Sequence, residues 1–286
     1  MQSATKILRN RIALFFDFDD TLGPSTTRVL FEHLDLDYDS FNKEVNDLHE
    51  NHMWQYPLAK AEMLRQFSHR DQSPLTRQAM EEVGKQFPLF DGVADLPERL
   101  RQLVKKHDEH IELEFVLLTA GFKVIPQASR VGERFDQVYA GELIFDEQGR
   151  VLGAKRVISH IDKVHYVRQY QMGLSLGKPS DLENTFVDHD PDDYHLPMSQ
   201  VIYVGDGSSD MSAFQAVEEG GGIAIAVDPD GETNSWLGYD RTTTQRRVHN
   251  LAKAQYGADD ELYQSLALGI ESKIKDIQLL RFGRGD

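Results

Sequence analysis

The feature that most restricts this chain is the run from Ile12 to Leu22, IALFFDFDDTL. Its apolar stretch, Ile12 to Phe16, leads straight into Asp17-Phe18-Asp19-Asp20-Thr21. A short unbroken apolar run predicts a strand buried on both faces, the environment of a parallel sheet. In open α/β sheets, ligands bind beyond the carboxyl ends of the strands, which is where these carboxylates fall. On an extended backbone Asp17 and Asp19 share one face. Two carboxylates converging there suit a divalent cation, or a division of work between a nucleophile and a proton carrier. For this segment alone, an acidic turn without chemistry is the plainer alternative.

Other apolar runs end in comparable turns. Leu113 to Leu118 runs into Thr119-Ala120-Gly121, whose hydroxyl and small residues leave backbone N–H groups to cradle an anion or to open a helix. Val201-Ile202-Tyr203-Val204 runs into Gly205-Asp206-Gly207-Ser208-Ser209-Asp210, and the glycines flanking Asp206 admit a ligand close to the backbone. Ile223 to Val227 reads as the last strand. A hairpin is expected across Asp146 to Arg150, and the next helix, with Ile158, Ile161, Val164 and Val167 on its apolar side, carries Lys163. Leu262, Leu266, Ile270, Ile274 and Ile277 mark a C-terminal helix on the core, whereas residues 171–199 read as a polar surface loop.

Residues 25–89 have no strand character. Phe41, Val45 and Leu48 form one helical stripe, capped at Ser40, and Leu58, Ala61, Leu64 and Phe67 form a second. Ser73-Pro74 predicts the start of a third helix. Trp54 and Tyr56 are expected to pack between these helices rather than to line a pocket. Strands alternating with helices predict an α/β fold built on a doubly wound parallel sheet. Residues 1–24 and 90–286 would form the core domain, and residues 25–89 a small inserted helical domain.

Charge and composition narrow the partners. A formal net charge of −16 repels a polyanion over most of the surface, which argues against nucleic acid. A small anionic substrate stays possible where the pocket supplies a cation. The absence of cysteine rules out disulfides, thiol catalysis and thiolate zinc sites. No apolar run is long enough for a membrane span, and the first is too short for the core of a signal peptide, so the cytoplasm is the expected compartment.

Taken in order, FDFDDTL, LLTAG, Lys163 and VGDGSSD resemble the four motifs of the haloacid dehalogenase (HAD) superfamily, near its phosphoserine phosphatase branch. Residues 25–89 occupy the position of that family's helical C1 cap, and the hairpin around Gly149 is similar to the same branch. The resemblance implies a HAD-like Rossmannoid core and a Mg2+-dependent phosphatase that hydrolyses a small phosphomonoester metabolite through an aspartyl-phosphate on Asp17. It implies Asp19 as the acid and then the base, and Thr119, the Ala120 N–H and Lys163 as binders of the phosphoryl group. It also implies Mg2+ on Asp17, the Asp19 carbonyl and Asp206, with Asp210 as a further ligand or supporting partner.

Two departures leave the substrate open. Ser209 stands where the family pattern usually has Asn, and the 171–199 stretch is longer than in phosphoserine phosphatase. Lys178, in Gly177-Lys178-Pro179, is similar to another form of the third motif, but no helical stripe follows it, so Lys163 is preferred. A phosphotransferase or phosphomutase would use the same intermediate. A silent binding module should lack one of the motif positions, and a dehalogenase would lack the carboxylate present here as Asp19.

Overall fold

The apolar run at the start of the chain forms a strand, β1 (Arg11–Phe16), whose alternate side chains enter two separate cores. Ile12, Leu14 and Phe16 pack on one face of the sheet, and Ala13 and Phe15 on the other. The computed structural model describes residues 9–174, 190, 193–207, 209–229 and 248–284. The remaining strands are β2 (Glu112–Phe122), β3 (Gln137–Phe145), β4 (Val151–Arg156), β5 (Val201–Gly205), β6 (Ile223–Asp228) and β7 (Asn250–Lys253). They form one seven-stranded sheet in the order β4-β3-β2-β1-β5-β6-β7. All neighbours are parallel except the β3–β4 hairpin.

The chain leaves β1 for β2 on one side and later returns to place β5 on the other. The crevice at such a reversal of strand order is where an open α/β sheet takes its ligand. One strand escaped the sequence reading: β7 follows β6 and pairs with it in parallel, although Ile223 to Val227 reads as the last strand. Its four residues, Asn-Leu-Ala-Lys, carry too little apolar pattern to announce an edge strand.

Residues 25–89 fold as α1 (Thr26–His33), α2 (Tyr38–His52), α3 (Tyr56–Ser68) and α4 (Arg77–Lys85). Two helix starts differ from expectation because a better cap lies nearby. Asp37, not Ser40, caps α2, accepting a hydrogen bond from the Ser40 N–H at 2.9 Å. Thr76 caps α4 through the Ala79 N–H at 3.2 Å, so that helix begins after Ser73-Pro74. Phe31, Phe41 and Phe67 belong to the same continuous apolar cluster as Ile12, Leu14 and Phe16, so the inserted helices and this face of the sheet share one core. The β3–β4 hairpin joins them further: the Arg77 N–H donates to the Gly149 carbonyl, and the Val151 N–H to Ser68 Oγ, each at 2.8 Å.

The sheet's helical layers are completed by α5 (Leu96–His107), the short α6 (Val124–Ala128), α7 (Asp162–Gln171), α8 (Met211–Glu219) and α9 (Glu261–Arg284). The five apolar residues predicted for the C-terminal helix are all buried on α9. On α7 the inward positions are Lys163, Tyr166 and Val167, whereas Ile161, expected on the apolar side, is exposed just before the helix. No helix among the described residues is long and apolar enough to cross a membrane.

Phe15 should carry much of the second core's stability. It is fully buried, meets Tyr170 edge-on at 5.4 Å between ring centroids, and stacks on Tyr203 at 6.1 Å. Phe15→Ala removes both contacts and leaves a cavity, at a cost of about 3–5 kcal/mol. Chemical denaturation of the variant should therefore show an unchanged m-value and a large fall in midpoint; a loss below about 1 kcal/mol would mean that this face collapses around the gap.

Candidate active site

The turn after β1 aims its carboxylates as the extended-backbone argument expects. Phe18 points away into the core against Phe87, with ring centroids 5.2 Å apart, and Asp17 and Asp19 both face a cavity of about 690 Å³. The Asp17 N–H donates to the Val204 carbonyl at 2.9 Å, which locks this residue beside the end of β5. Its Oδ1 accepts the Phe18 N–H at 2.8 Å, and its Oδ2 lies 3.1 Å from Lys163 Nζ. Asp20 adopts a left-handed backbone (φ 57°), which Asp tolerates better than most residues and which turns the chain back toward α1. The Thr26 N–H then reaches Asp19 Oδ1 at 2.7 Å, leaving Oδ2 toward the cavity.

Thr119 and Ala120 line the same cavity from β2. Thr119 Oγ1 accepts the Gly121 N–H at 3.0 Å, so part of the expected anion cradle is used within the strand. Gly121 has a steric reason: a Cβ there would sit 3.3 Å from Asp19 Oδ2. Asp206 reaches the cavity from the end of β5. Lys163 and Asp210 do not line it; both are fully buried behind Asp17. Lys163 Nζ donates to Asp210 Oδ1 at 2.6 Å and to Ser209 Oγ at 3.2 Å, so Ser209, which departs from the HAD pattern, touches the ammonium. Tyr203 donates its hydroxyl to the same Asp210 oxygen at 2.7 Å. Lys178 lies outside the described residues, as does much of the 171–199 stretch.

Asp17, Asp206 and Asp210 each place a carboxylate oxygen within 4.8 Å of the others. Against these three carboxylates stands, among the described residues, one ammonium within ion-pair distance, that of Lys163; full ionisation of all three would leave two negative charges in a largely buried space. Burial, together with the neighbouring carboxylates, outweighs Lys163 and pushes Asp17 up to about 7. The same causes, burial first, push Asp206 up to about 9. The carboxylates in turn raise Lys163 despite its burial, so it keeps its proton. A cluster of hard oxygen donors with an unmet charge of this size fits Mg2+ rather than a soft metal.

The cavity has a second wall that was not assigned from sequence. Arg28, Tyr38, Tyr56 and Lys60 line it from α1, α2 and α3, and His160 lines it just ahead of α7. Tyr56 therefore lines the cavity as well as packing against the helical core, while Trp54 is partly exposed. The one signal available was Lys60 itself, which lies on the inward stripe of α3 with the buried Pro57, Leu64 and Phe67. Burial and the nearby Lys163 ammonium lower the pKa of His160, which favours its neutral form.

The fold is similar to those of solved HAD-family hydrolases and phosphatases. A HAD family hydrolase of Salmonella enterica serovar Typhi superposes with a TM-score of 0.53 at 12% identity, over 86% of this chain and 67% of its own. A phosphoserine phosphatase solved as a phospho-aspartyl intermediate analogue gives 0.52 at 12% identity, over 90% of this chain and 98% of its own. A cytosolic 5'-nucleotidase IIIB bound to cytidine gives 0.51 at 15% identity, over 94% and 88% of the two chains. By sequence, an uncharacterized protein of Borreliella burgdorferi is 23% identical over 276 residues, covering 89% of this chain and 94% of its own. No protein-family model matches the chain.

The raised carboxylates generate a pH prediction whose sign is fixed. Their folded pKa values lie above the ordinary carboxylate value, so without a cation the stability they permit is complete near pH 4. It is lost as pH rises through 7 and on to 9. A Mg2+ ion held by these carboxylates would compete with those protons. Added Mg2+ should therefore raise Tm by several degrees, more at pH 8 than at pH 6. Asp206→Asn should raise the Tm of the metal-free protein at pH 8 and abolish the Mg2+ response. Scanning calorimetry with and without chelator checks both; a Mg2+ response of equal size in the variant would remove Asp206 from the cation site.

Proposed function

We propose that this chain is a cytoplasmic, Mg2+-dependent phosphomonoesterase that hydrolyses a small phosphorylated metabolite through an aspartyl-phosphate on Asp17. The observation that carries the reading is the placement of Asp17. It is buried at the end of β1, 3.1 Å from a protonated lysine, and opens on a cavity shared with Asp19, Thr119 and Asp206. Phosphoserine phosphatase and 5'-nucleotidase relatives of the same fold support it. A Mg2+ ion held by Asp17, the Asp19 carbonyl and Asp206, with Asp210 supporting them, would neutralise charge on the phosphoryl oxygens.

The chain's own residues account for the rest of the reaction. An Asp17 oxygen attacks phosphorus in line with the ester oxygen, and the ester P–O bond breaks as the new bond forms. Asp19 gives its proton to the departing alkoxide. Its Oδ1 is held by the Thr26 N–H, which fixes the orientation of the other oxygen for that transfer. Asp19, now a carboxylate, takes a proton from water, whose oxygen attacks phosphorus and releases inorganic phosphate with Asp17 restored. The Thr119 hydroxyl and the Ala120 N–H bind the equatorial oxygens, where charge is spread in the transition state, and the Lys163 ammonium, buried against Asp17, stabilises that charge from behind. On this reading residues 25–89 are a cap over a core made of residues 1–24 and 90–286, and they limit water in the first step.

Asp17→Asn keeps the size of the side chain and removes the nucleophile. Release of inorganic phosphate from p-nitrophenyl phosphate and from a panel of phosphometabolites should fall at least about a thousand-fold, with the unfolding midpoint retained. Residual activity above about one per cent in deamidation-checked protein would assign the nucleophile elsewhere.

A further inference from the structure

The two walls of the cavity differ in charge. Every carboxylate that lines it, Asp17, Asp19, Asp20 and Asp206, comes from the turns after β1 and β5. The wall built by α1, α2 and α3 contributes Arg28, Lys60 and two tyrosines, and no carboxylate. Lys60 is only 13% exposed, and among the described residues its one carboxylate neighbour is Asp19, with Oδ2 at 4.0 Å, the outer limit of an ion pair. A lysine ammonium held on an inward helix stripe with so distant a partner has unused donors directed at a polar space.

The rest of that wall is arranged around the same space. The Arg28 guanidinium lies 4.4 Å over the Tyr38 ring and 3.9 Å from the Glu32 carboxylate. Both contacts hold Arg28 in place before a ligand arrives. Tyr56 stands near enough to Asp19 to feel its charge. The order of groups sets the direction of a bound ester. Asp19 must meet the oxygen that leaves, so whatever is attached to that oxygen continues past Asp19 toward Lys60.

We propose that the α1–α3 wall is a second anion subsite, in which Lys60, assisted by Arg28 and the Tyr38 and Tyr56 hydroxyls, receives a carboxylate or a second phosphate on the leaving group. This rests on the phosphomonoesterase reading and deepens it: the substrate is a phosphomonoester of a small hydroxy acid or of a diol bisphosphate, not of an amino alcohol. A cationic leaving group would face two like charges, and a neutral one would leave the Lys60 ammonium with only the distant Asp19 for a partner in a partly desolvated site.

The test uses the full chain with Mg2+ and esters that differ only at the far end of a three-carbon leaving group: 3-phosphonooxypropanoate, propane-1,3-diyl bisphosphate, propyl phosphate and 3-aminopropyl phosphate. In the wild type, kcat/KM for one or both anionic esters should exceed that for propyl phosphate by about ten-fold or more, with the amine poorest. Lys60→Gln should shrink that anionic-to-neutral ratio to near one, Lys60→Arg should keep most of it, and Arg28→Gln should reduce it in part. A wild-type ratio within about two-fold overturns the subsite, and so does a Lys60→Gln variant that slows all four esters by the same factor. The latter result would place Lys60 on the transferring phosphoryl group or on Asp19 instead. A wild type that hydrolyses neither these esters nor p-nitrophenyl phosphate rejects the phosphomonoesterase reading itself, and the subsite with it.

Discussion

The site depends on the Lys163 ammonium, fully buried between Asp17 and Asp210. Burying an ammonium alone costs several kcal/mol, and removing either carboxylate partner would leave much of that cost unmet. Three elements are therefore tied through one charge: α7 brings the lysine, the turn after β1 brings Asp17, and the start of α8 follows Asp210. Tyr203 on β5 adds a neutral donor to the same Asp210 oxygen. Packing supports this arrangement from below, since Tyr203 also stacks on Phe15 of β1. Gly205 supports it from the side: a Cβ at that position would overlap the Asp210 carboxylate, so only glycine lets β5 end so close to the acid.

What makes the convergence possible is a central strand buried on both faces. A half-exposed strand would need polar residues on its outer face, and its end would not be enclosed by helices from both layers. β1 has Ile12, Leu14 and Phe16 against the inserted helices and α5, with Ala13 and Phe15 against α7 and α8. Its end is thus reached by side chains from both layers. Lys163 comes from one, and Lys60, Arg28 and Tyr38 come from the other.

How much of this was legible in the sequence differs by element, for physical reasons. β1, β2 and β5 were readable because full burial demands unbroken apolar runs, and the turns after them stand out by their carboxylates, threonine and glycines. β7 was not readable, because a short edge strand is stabilised by pairing with β6 rather than by its own side chains. The helix starts at Asp37 and Thr76 were missed because several capping residues competed within a few positions, and backbone geometry chose among them. Lys163 was found through its family resemblance, yet it also occupies an inward helix position beside Tyr166 and Val167. Lys60 has the same signature beside Leu64 and Phe67, and was overlooked because a helical lysine ordinarily reads as a solvated cation. Tyr56 was read only as packing, because the cavity wall it also belongs to forms only when three helices come together.

For an acidic chain to bind an anion, as proposed, the problem has to be solved locally. With a formal net charge of −16, the general field opposes an incoming phosphate ester, and the motif carboxylates oppose it more strongly at short range. At physiological salt the field of distant surface charges is screened over about 8 Å, so the groups lining the cavity decide the outcome. A divalent cation held by Asp17, Asp206 and Asp210 would offset two of the negative charges that the core-side carboxylates bring to the cavity and so weaken their repulsion. The cationic wall from α1 and α3 needs no such correction, because it lines the cavity with no carboxylate. On the proposed reading, a cation and an ester on the core side would each raise the affinity for the other, whereas the charges of Lys60 and Arg28 are in place before either arrives.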